Sequence, residues 1–310
     1  MKKTARWVAF LSVVAFTAAY GGWHMWGMLG PHLNDVDMLS ASYGWVVGAG
    51  GVIYRYDGSS WRSVPSPTTN DLNAVKVLST SAAWAVGHHG TTIRWNGTSW
   101  QNVNTGIDNH LYATDFVTAG AGWTGGRNGV LLRYASGNWS AATSPTSRHI
   151  RGLDMLAAND GWLVGNAGSI YRYNGSSWVS QTSPTARDFN DVAMYSPTVG
   201  YAVGAYETIC RYNGTRWTIV NQGPVITPLN AVCVIGPNDV WAVGAQGLAL
   251  HYDGSYWVPG STPTTLELRG VDFADSLNGW AVGEGGCILR YQSETAVKPA
   301  SVGRVKALFM

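Results

Sequence analysis

Short apolar runs alternate with small and polar residues along most of the chain, and this pattern repeats. Its clearest element is a box of the form Gly-Trp-x-Val-Gly, whose aromatic residue recurs seven times, at Trp45, Trp84, Trp123, Trp162, Tyr201, Trp241 and Trp280. Successive box aromatics are 39 or 40 residues apart. A fixed period of this length indicates a repeat architecture.

Each repeat divides into four predicted β-strands. The first strand opens on an apolar residue twelve positions before the box aromatic, at Leu33, Leu72, Leu111, Ile150, Phe189, Leu229 and Leu268. The box is the second strand, a Gly-containing turn leads to the third, and an Asp/Asn-Gly hairpin leads to a fourth that begins with Trp. This pattern predicts an all-β, seven-bladed β-propeller. A linear solenoid is the competing architecture.

Ring closure is also predicted from the repeats. The seventh repeat loses the pattern after Tyr291, and Ala296 stands where its fourth-strand Trp belongs. Trp23 precedes Leu33 by ten residues, close to the eleven or twelve of every other such Trp. We therefore predict that a strand around Trp23 to Trp26 completes the last blade by pairing with residues near Cys287 to Tyr291. The propeller would span 21–292, with repeats starting near 33, 72, 111, 150, 189, 229 and 268.

The two ends of the chain lack the repeat. Lys2, Lys3 and Arg6 precede an uncharged apolar run over 7–20, which is typical of a signal peptide. A retained membrane anchor is the alternative for 1–20, and this segment would then contact the membrane. Either interpretation predicts export to the periplasm or the extracellular space. The stretch 293–310 is expected to be a tail, either loose or a docking peptide.

Composition narrows the classes of function. Charged residues make up 12% of the chain, about half the usual fraction, and the net charge is +2, so a nucleic-acid partner is not expected. The 39 Gly and 16 Trp indicate many tight turns and extensive aromatic packing. Cys210, Cys233 and Cys287 have no metal-ligand or disulfide spacing and are expected to be small buried residues. No cofactor is expected.

A cation stands ten residues after each box aromatic and is followed by Tyr or Trp. The set is Arg55, Arg94, Arg133, Arg172, Arg211, His251 and Arg290. A ring of guanidinium groups could bind an acidic protein face through bidentate contacts. Alternatively, each cation stacks on a neighbouring aromatic residue, as a requirement of the fold. The near-complete repetition favours packing and leaves binding open.

Two further sets differ among the repeats. One position of the first strands is occupied by Asp37, Lys76, Asp115, Asp154, Ala193, Cys233 and Asp272. The four carboxylates of this set could hold a cation in the channel. Alternatively, they could bond to adjacent backbone or pair with the repeated Arg. The turns after the box and the linkers between repeats are expected on one face. The candidate residues of that face are His88, His89, Arg127, Asn128, Tyr206, Glu207, Gln246 and Glu284. His88 and His89 alone are a poor metal pair unless carboxylates are near.

The repeat unit, from GWAVG to the Asp/Asn-Gly-x-x-Trp turn, resembles the BNR/Asp-box propellers over residues 33–291. It is most similar to the photosystem II stability/assembly factor family, although its turn is one residue shorter than a standard Asp-box. The resemblance implies an exported seven-bladed propeller with an arginine-rich surface that receives a membrane-protein precursor. The matching candidates here are the repeated cations from Arg55 to Arg290.

These observations predict a non-catalytic, protein-binding propeller outside the cytoplasm. It would be a subunit or an assembly and stability factor of a membrane or cell-surface complex. A carbohydrate-binding propeller is the alternative, and a sialidase-like glycosidase is the next. Enzyme chemistry is not expected, because only four Glu occur and no GxSxG, HExxH or Walker motif is present.

Overall fold

The computed structural model describes residues 22–221 and 227–292, which form seven four-stranded antiparallel sheets. The predicted leader over 1–20 and the predicted tail over 293–310 lie outside the described residues. Within the described part, no helix has the length and apolar character needed to cross a bilayer.

The two inner strands of every blade have nearly constant length. The first strands are β2 (Leu33–Ser40), β6 (Leu72–Ser79), β10 (Leu111–Thr118), β14 (Ile150–Ala157), β18 (Phe189–Ser196), β22 (Leu229–Gly236) and β26 (Leu268–Asp275). The second strands are β3 (Tyr43–Gly48), β7 (Ala82–Gly87), β11 (Ala121–Gly126), β15 (Asp160–Gly165), β19 (Val199–Gly204), β23 (Asp239–Gly244) and β27 (Asn278–Gly283).

The outer strands are shorter and vary more. The third strands are β4 (Ile53–Tyr56), β8 (Thr92–Trp95), β12 (Leu131–Ala135), β16 (Ser169–Tyr173), β20 (Thr208–Tyr212), β24 (Ala249–Tyr252) and β28 (Cys287–Gln292). The fourth strands are β5 (Trp61–Ser63), β9 (Trp100–Asn102), β13 (Asn138–Ala141), β17 (Trp178–Ser180), β21 (Trp217–Asn221), β25 (Trp257–Pro259) and, from the N-terminal side, β1 (Gly22–Met28).

Single-turn 3-10 helices join the second and third strands in six blades. They span Ala49–Gly51, Arg127–Gly129, Asn166–Gly168, Ala205–Glu207, Ala245–Gly247 and Glu284–Gly286. In the second blade the same position is occupied by the turn 88–90.

The ring closes as predicted. Strand β1 pairs antiparallel with β28, with Trp23 opposite Tyr291 and Met28 opposite Cys287. The seventh blade therefore has the order β1-β28-β27-β26 and combines both ends of the described chain. Its innermost strand β26 packs beside β2 of the first blade. A linear solenoid is thereby excluded.

Aromatic side chains fill each seam, the interface between adjacent blades. The box aromatic of one blade packs against two aromatics of the next blade, namely the last aromatic of the third strand and the Trp of the fourth. Trp45, for example, has its ring centroid 4.9 Å from that of Trp95 and 5.1 Å from that of Trp100. Trp23 completes the same arrangement by packing edge-on against Trp241 at 5.4 Å. The extensive aromatic packing that the 16 Trp indicate is therefore located between the blades.

The last residue of each box has to be glycine, because the backbone of the linker passes too close to it for a side chain. At Gly87, an added Cβ would lie 1.9 Å from the carbonyl oxygen of Asp71, in the linker that enters the same blade. The N–H of His88 donates to that carbonyl at 2.9 Å. Turn and linker are thus held together on one side of the ring, here named the turn face. The opposite side, with the loops between third and fourth strands, is named the hairpin face.

Replacing Trp23 by Ala tests the closure. Trp23 is 4% exposed and contacts Trp241, Phe273 and Tyr291. Its truncation should lower the free energy of unfolding by about 3–5 kcal/mol, because it leaves a cavity in the closing seam. Denaturant unfolding followed by tryptophan fluorescence measures the change.

Met28→Ala is the matched control in the same strand. Met28 is 53% exposed, so its truncation should change stability by no more than about 0.5 kcal/mol. Equal stability of the Trp23→Ala and Met28→Ala variants would contradict closure by β1.

Candidate functional site

The turn face has one residue per blade in an unusual backbone conformation. The middle residue of each turn has a positive φ and, in five blades, is not glycine: His89 (53°), Asn128 (55°), Ala167 (53°), Tyr206 (60°) and Gln246 (59°). Glycine holds this position in the first and seventh blades, as Gly50 (67°) and Gly285 (64°). All five non-glycine residues are exposed. The conformation directs their side chains to solvent.

Side chains from the linkers hold these turns in place. The carboxylate of Asp71 accepts from the N–H of Gly50 at 2.7 Å, and that of Asp188 accepts from the N–H of Ala167 at 2.7 Å. Histidine Nδ1 atoms do the same in other blades, accepting from His89, Asn128 and Gly285. The histidines concerned are His110, His149 and His32. The turn face is therefore a rigid framework that presents variable side chains.

The structure places all the candidate residues of the variable set on the turn face, but in different blades. Arg127, Asn128, Tyr206 and Gln246 are exposed, whereas His88, Glu207 and Glu284 are half-buried. In the fifth blade, the guanidinium of Arg187 lies over the Tyr206 ring at 4.7 Å. The residues are distributed around the ring and do not converge on one point. This arrangement suits a broad contact surface better than a reaction centre.

One local cluster does form, between the second and third blades. The ring of His110 lies 4.2 Å from that of His88 and 5.1 Å from that of His89. Carboxylates lie near both histidines of the turn: Asp108 lies 3.0 Å from His89 Nδ1, and Asp71 lies 3.6 Å from His88 Nδ1.

The histidines of this cluster are held by hydrogen bonds and ring contacts. Loss of solvation, together with the two neighbouring imidazoles, lowers the pKa of His110. A lowered pKa favours the neutral ring that accepts from the His89 N–H. In residues 22–221 and 227–292, no group of three or more His, Cys, Asp or Glu side chains is arranged to hold a metal ion.

The repeated cations stack on the box aromatics. The six guanidinium carbons lie 5.2–6.0 Å from the ring centroids of the box residues in their own blades. His251 stacks on Trp241 at 4.4 Å. Arg172 and His251 also pair with Asp160 and Asp239, each at 2.8 Å. Arg133 is exposed, and the other six members of the set are half-buried. These contacts agree with the packing interpretation, and protein binding by the set stays a prediction.

The first strands line an axial channel with a cavity of about 340 Å³. Its carboxylates bond to the backbone of the neighbouring blade, one of the alternatives left open. Asp115 accepts from the Met155 N–H at 2.6 Å, and Asp154 accepts from the Met194 N–H at 2.5 Å. Asp272 and Asp37 accept in the same way from Met38 and Val77. Nζ of Lys76 lies 3.0 Å from Oδ1 of Asp115 in the next blade. The side chains at this position of the first strands therefore connect adjacent blades.

Two further sets of channel residues were missed by the sequence reasoning. Asp35 and Asp191, two residues earlier in their strands, accept from backbone N–H groups of Val75 and Val232. In four blades, the second residue of the first strand is Asn. Its side-chain N–H donates, at 2.7–2.8 Å, to the backbone carbonyl oxygen of the residue that opens the first strand of the next blade. These residues are Asn34, Asn73, Asn190 and Asn230. The recurrence of Asn at this position in four repeats was the available signal.

The channel carboxyls are held in a poorly solvated space. Loss of solvation raises the pKa of Asp37, Asp154 and Asp191 to about 7, and it raises the pKa of Asp35 well above its usual range. For Asp37, the nearby Lys76 ammonium offsets part of this effect. Because the folded state then binds more protons than the unfolded chain between about pH 4 and pH 7, stability should fall as pH rises through that window.

Replacing Asp154 by Asn tests this dependence. The wild-type protein should have a lower free energy of unfolding at pH 8 than at pH 5, because raising the pH charges buried carboxyls. Asp154→Asn keeps an oxygen for the Met194 N–H and removes one titrating group, so its loss of stability over this range should be smaller. Urea unfolding at both pH values measures the difference, and Asp275→Asn, at the exposed end of β26, is the control. If the free energy of unfolding fell equally between pH 5 and pH 8 in the Asp154→Asn variant and in wild type, the raised pKa of Asp154 would be refuted.

Comparisons with known proteins come from structure alone. No known family profile matches the sequence, and no curated protein matches it at a significant level. The fold is similar to that of YCF48 bound to D1 peptide, with a TM-score of 0.72 and 16% identity over 88% of this chain and 95% of that one.

Two further structures agree. YCF48 from Cyanidioschyzon merolae has a TM-score of 0.72 and 15% identity over 87% of this chain and 99% of that one. The WD40 β-propeller domain of Doa1 has a TM-score of 0.73 and 11% identity over 89% of this chain and 99% of that one. The resemblance to the photosystem II assembly factors is thus confirmed for the fold. At these identities, the comparisons show the propeller fold alone, and the seven sheets of this chain give the number of blades.

Proposed function

We propose that this protein is a non-catalytic, protein-binding propeller that works outside the cytoplasm, with the turn face as its docking surface. Its role would be that of a subunit or an assembly and stability factor of a membrane or cell-surface complex. The partner would be a protein of that complex.

The observation that carries the proposal is the set of exposed, non-glycine residues at positive φ. A left-handed conformation costs an L-residue about 1–2 kcal/mol, and glycine avoids most of this cost. Gly50 and Gly285 hold the same position, so the fold accepts glycine there. The side chain of Gln246 is exposed, and that of Tyr206 is 42% exposed and contacts Arg187 on the same face. Strain retained at exposed positions points to function.

The surface suits recognition of a protein. A standard interface needs only about 800 Å² per partner, which a propeller disc face can supply. Tyr206, 42% exposed and stacked with Arg187, combines two residue types that often dominate interface energies. Because the net charge is only +2, recognition would depend on local contacts rather than on long-range attraction.

Two other lines of support concern the kind of partner and the location. One propeller of similar fold is described as bound to a D1 peptide, which is consistent with a peptide or protein ligand here. The basic residues Lys2, Lys3 and Arg6 ahead of an apolar run support export.

A double substitution to glycine at the turn face should separate binding from folding. In Tyr206→Gly/Gln246→Gly, relief of left-handed strain should keep or raise stability by up to about 1 kcal/mol per site. Binding should weaken, because two exposed contact groups are removed. Tagged wild-type and variant proteins, recovered from mildly solubilised membranes, are compared by quantitative mass spectrometry.

A photo-crosslinking residue identifies the docking face. Placed at 206 it should form a defined protein adduct, whereas the same residue at Ser59, on the hairpin face, should not. A variant that retains the complex and crosslinks only from position 59 would overturn the proposed face. Turnover of a glycoside by the purified protein would overturn the non-catalytic role.

Export can be measured separately. Residues 1–31 fused to alkaline phosphatase should give enzyme activity, because that enzyme needs oxidising conditions outside the cytoplasm to form its disulfides. A Lys2→Glu/Lys3→Glu/Arg6→Glu version should lose this activity. Equal phosphatase activity with and without the basic residues would contradict a signal or anchor.

A further inference from the structure

The seam between the fifth and sixth blades differs from the other six. Its box aromatic is Tyr201, where every other blade has Trp. The ring centroid of Tyr201 lies 6.1 Å from that of Tyr252 and 5.9 Å from that of Trp257. The corresponding distances at the other seams are 4.5–5.6 Å. The smaller phenol ring therefore leaves this seam more open than the rest.

A cavity of about 360 Å³ opens at this seam. Tyr201 and Arg211 line it from the fifth blade, and Tyr252, Tyr256 and Trp257 line it from the sixth. Tyr252 and Trp257 are half-buried, whereas their counterparts in the other blades are buried. The volume lies within the range of small-molecule sites. Three aromatic side chains from one blade provide walls against which a planar ring can stack.

Two hydrogen-bond donors lie in the wall of this cavity without an acceptor. Among the described residues, neither the Tyr201 hydroxyl nor Nε of Arg211 has a hydrogen-bond partner, although both atoms are buried and Tyr201 is 0% exposed. Because these two atoms have almost no accessible surface, a ligand in the cavity would reach Arg211, which is half-buried as a whole, through the rest of its guanidinium group.

The charge of Arg211 is also uncompensated. In the adjacent blades, Arg172 and His251 pair with Asp160 and Asp239, each two residues before the box aromatic. The fifth blade has Val199 at that position. Within the described part of the chain, no carboxylate pairs with Arg211. A ligand carboxylate would supply the missing partner, since guanidinium and carboxylate groups match in geometry and charge.

We propose that the cavity between the fifth and sixth blades binds a planar aromatic carboxylate. The ring lies against Tyr252, Tyr256 and Trp257, and the carboxylate pairs with the guanidinium group of Arg211. This site is formed by the seam and its outer strands rather than by the turns of the turn face, so it is independent of the proposed protein binding.

Indole-3-acetate is a suitable probe, because it joins a planar ring to a carboxylate. Isothermal titration calorimetry with the whole purified protein should show saturable binding of indole-3-acetate and none of acetate alone. Indole-3-ethanol, which lacks the carboxylate, should bind about tenfold more weakly or worse, as expected for loss of a charge-assisted hydrogen bond.

Three variants test the site. Tyr201→Trp restores the residue of the other blades and should close the cavity, so that affinity falls by about tenfold or more while the melting temperature rises or stays unchanged. Arg211→Met should weaken binding of indole-3-acetate but not of indole-3-ethanol. Arg94→Met is the matched control, because Nε of Arg94 is also buried without a partner but lies in a closed seam. It should bind the probe like wild type.

If the Tyr201→Trp variant does not fold, the Tyr256→Ala variant tests the same site. Tyr256 is 74% exposed, so its loss should spare the fold and weaken binding by removing one wall. The proposal is overturned by any of three results: no saturable binding up to about 10 mM indole-3-acetate, undiminished affinity in a folded Tyr201→Trp variant, or equal weakening by Arg94→Met and Arg211→Met.

Discussion

Aromatic packing at the seams is the interaction on which the rest of this structure depends. A four-stranded blade of about 40 residues cannot bury its own faces, so its stability comes from the blades on either side. Each box aromatic inserts between two aromatics of the next blade, and this contact recurs around the whole ring. A ring of such contacts has no free end. That is why Trp23, from the other end of the chain, has to supply the last of them.

Polar groups bind the same seams from the channel side. Carboxylates such as Asp115 and Asp154 reach across to backbone N–H groups of the next blade, and Asn34 and its counterparts reach across to carbonyls. These bonds satisfy groups that cannot pair within a blade at its innermost edge. They also bring several carboxyls into one narrow space, where loss of solvation raises the pKa of Asp154 and Asp191 to about 7. The inner bonds therefore fix the geometry of the ring while making its stability sensitive to pH.

Departures from the repeat mark the places where function is to be sought. Positions that all blades share, including the stacked cations, contribute to packing. The turn residues differ, and five of them keep a side chain in a conformation that glycine would adopt at lower cost. The fifth blade departs twice, with Tyr206 on the turn face and Tyr201 in the seam. A rigid, repeated scaffold with a few unrepeated side chains can thus carry separate sites for a protein and for a small molecule.

The sequence alone determined the number of blades, the strand order and the closing strand, because local periodicity records which side of each strand is buried. The fixed spacing of Leu33 and its six counterparts, and the displaced Trp23, were sufficient for this. Only the tertiary structure decided what the polar residues do. Whether Asp154 holds a cation or a backbone N–H depends on a neighbour 40 residues away in the chain. Whether a cavity forms beside Tyr201 depends on how closely Tyr252 and Trp257 pack against its ring, which is smaller than that of Trp. Such contacts are set by the distance between blades, which no single repeat encodes.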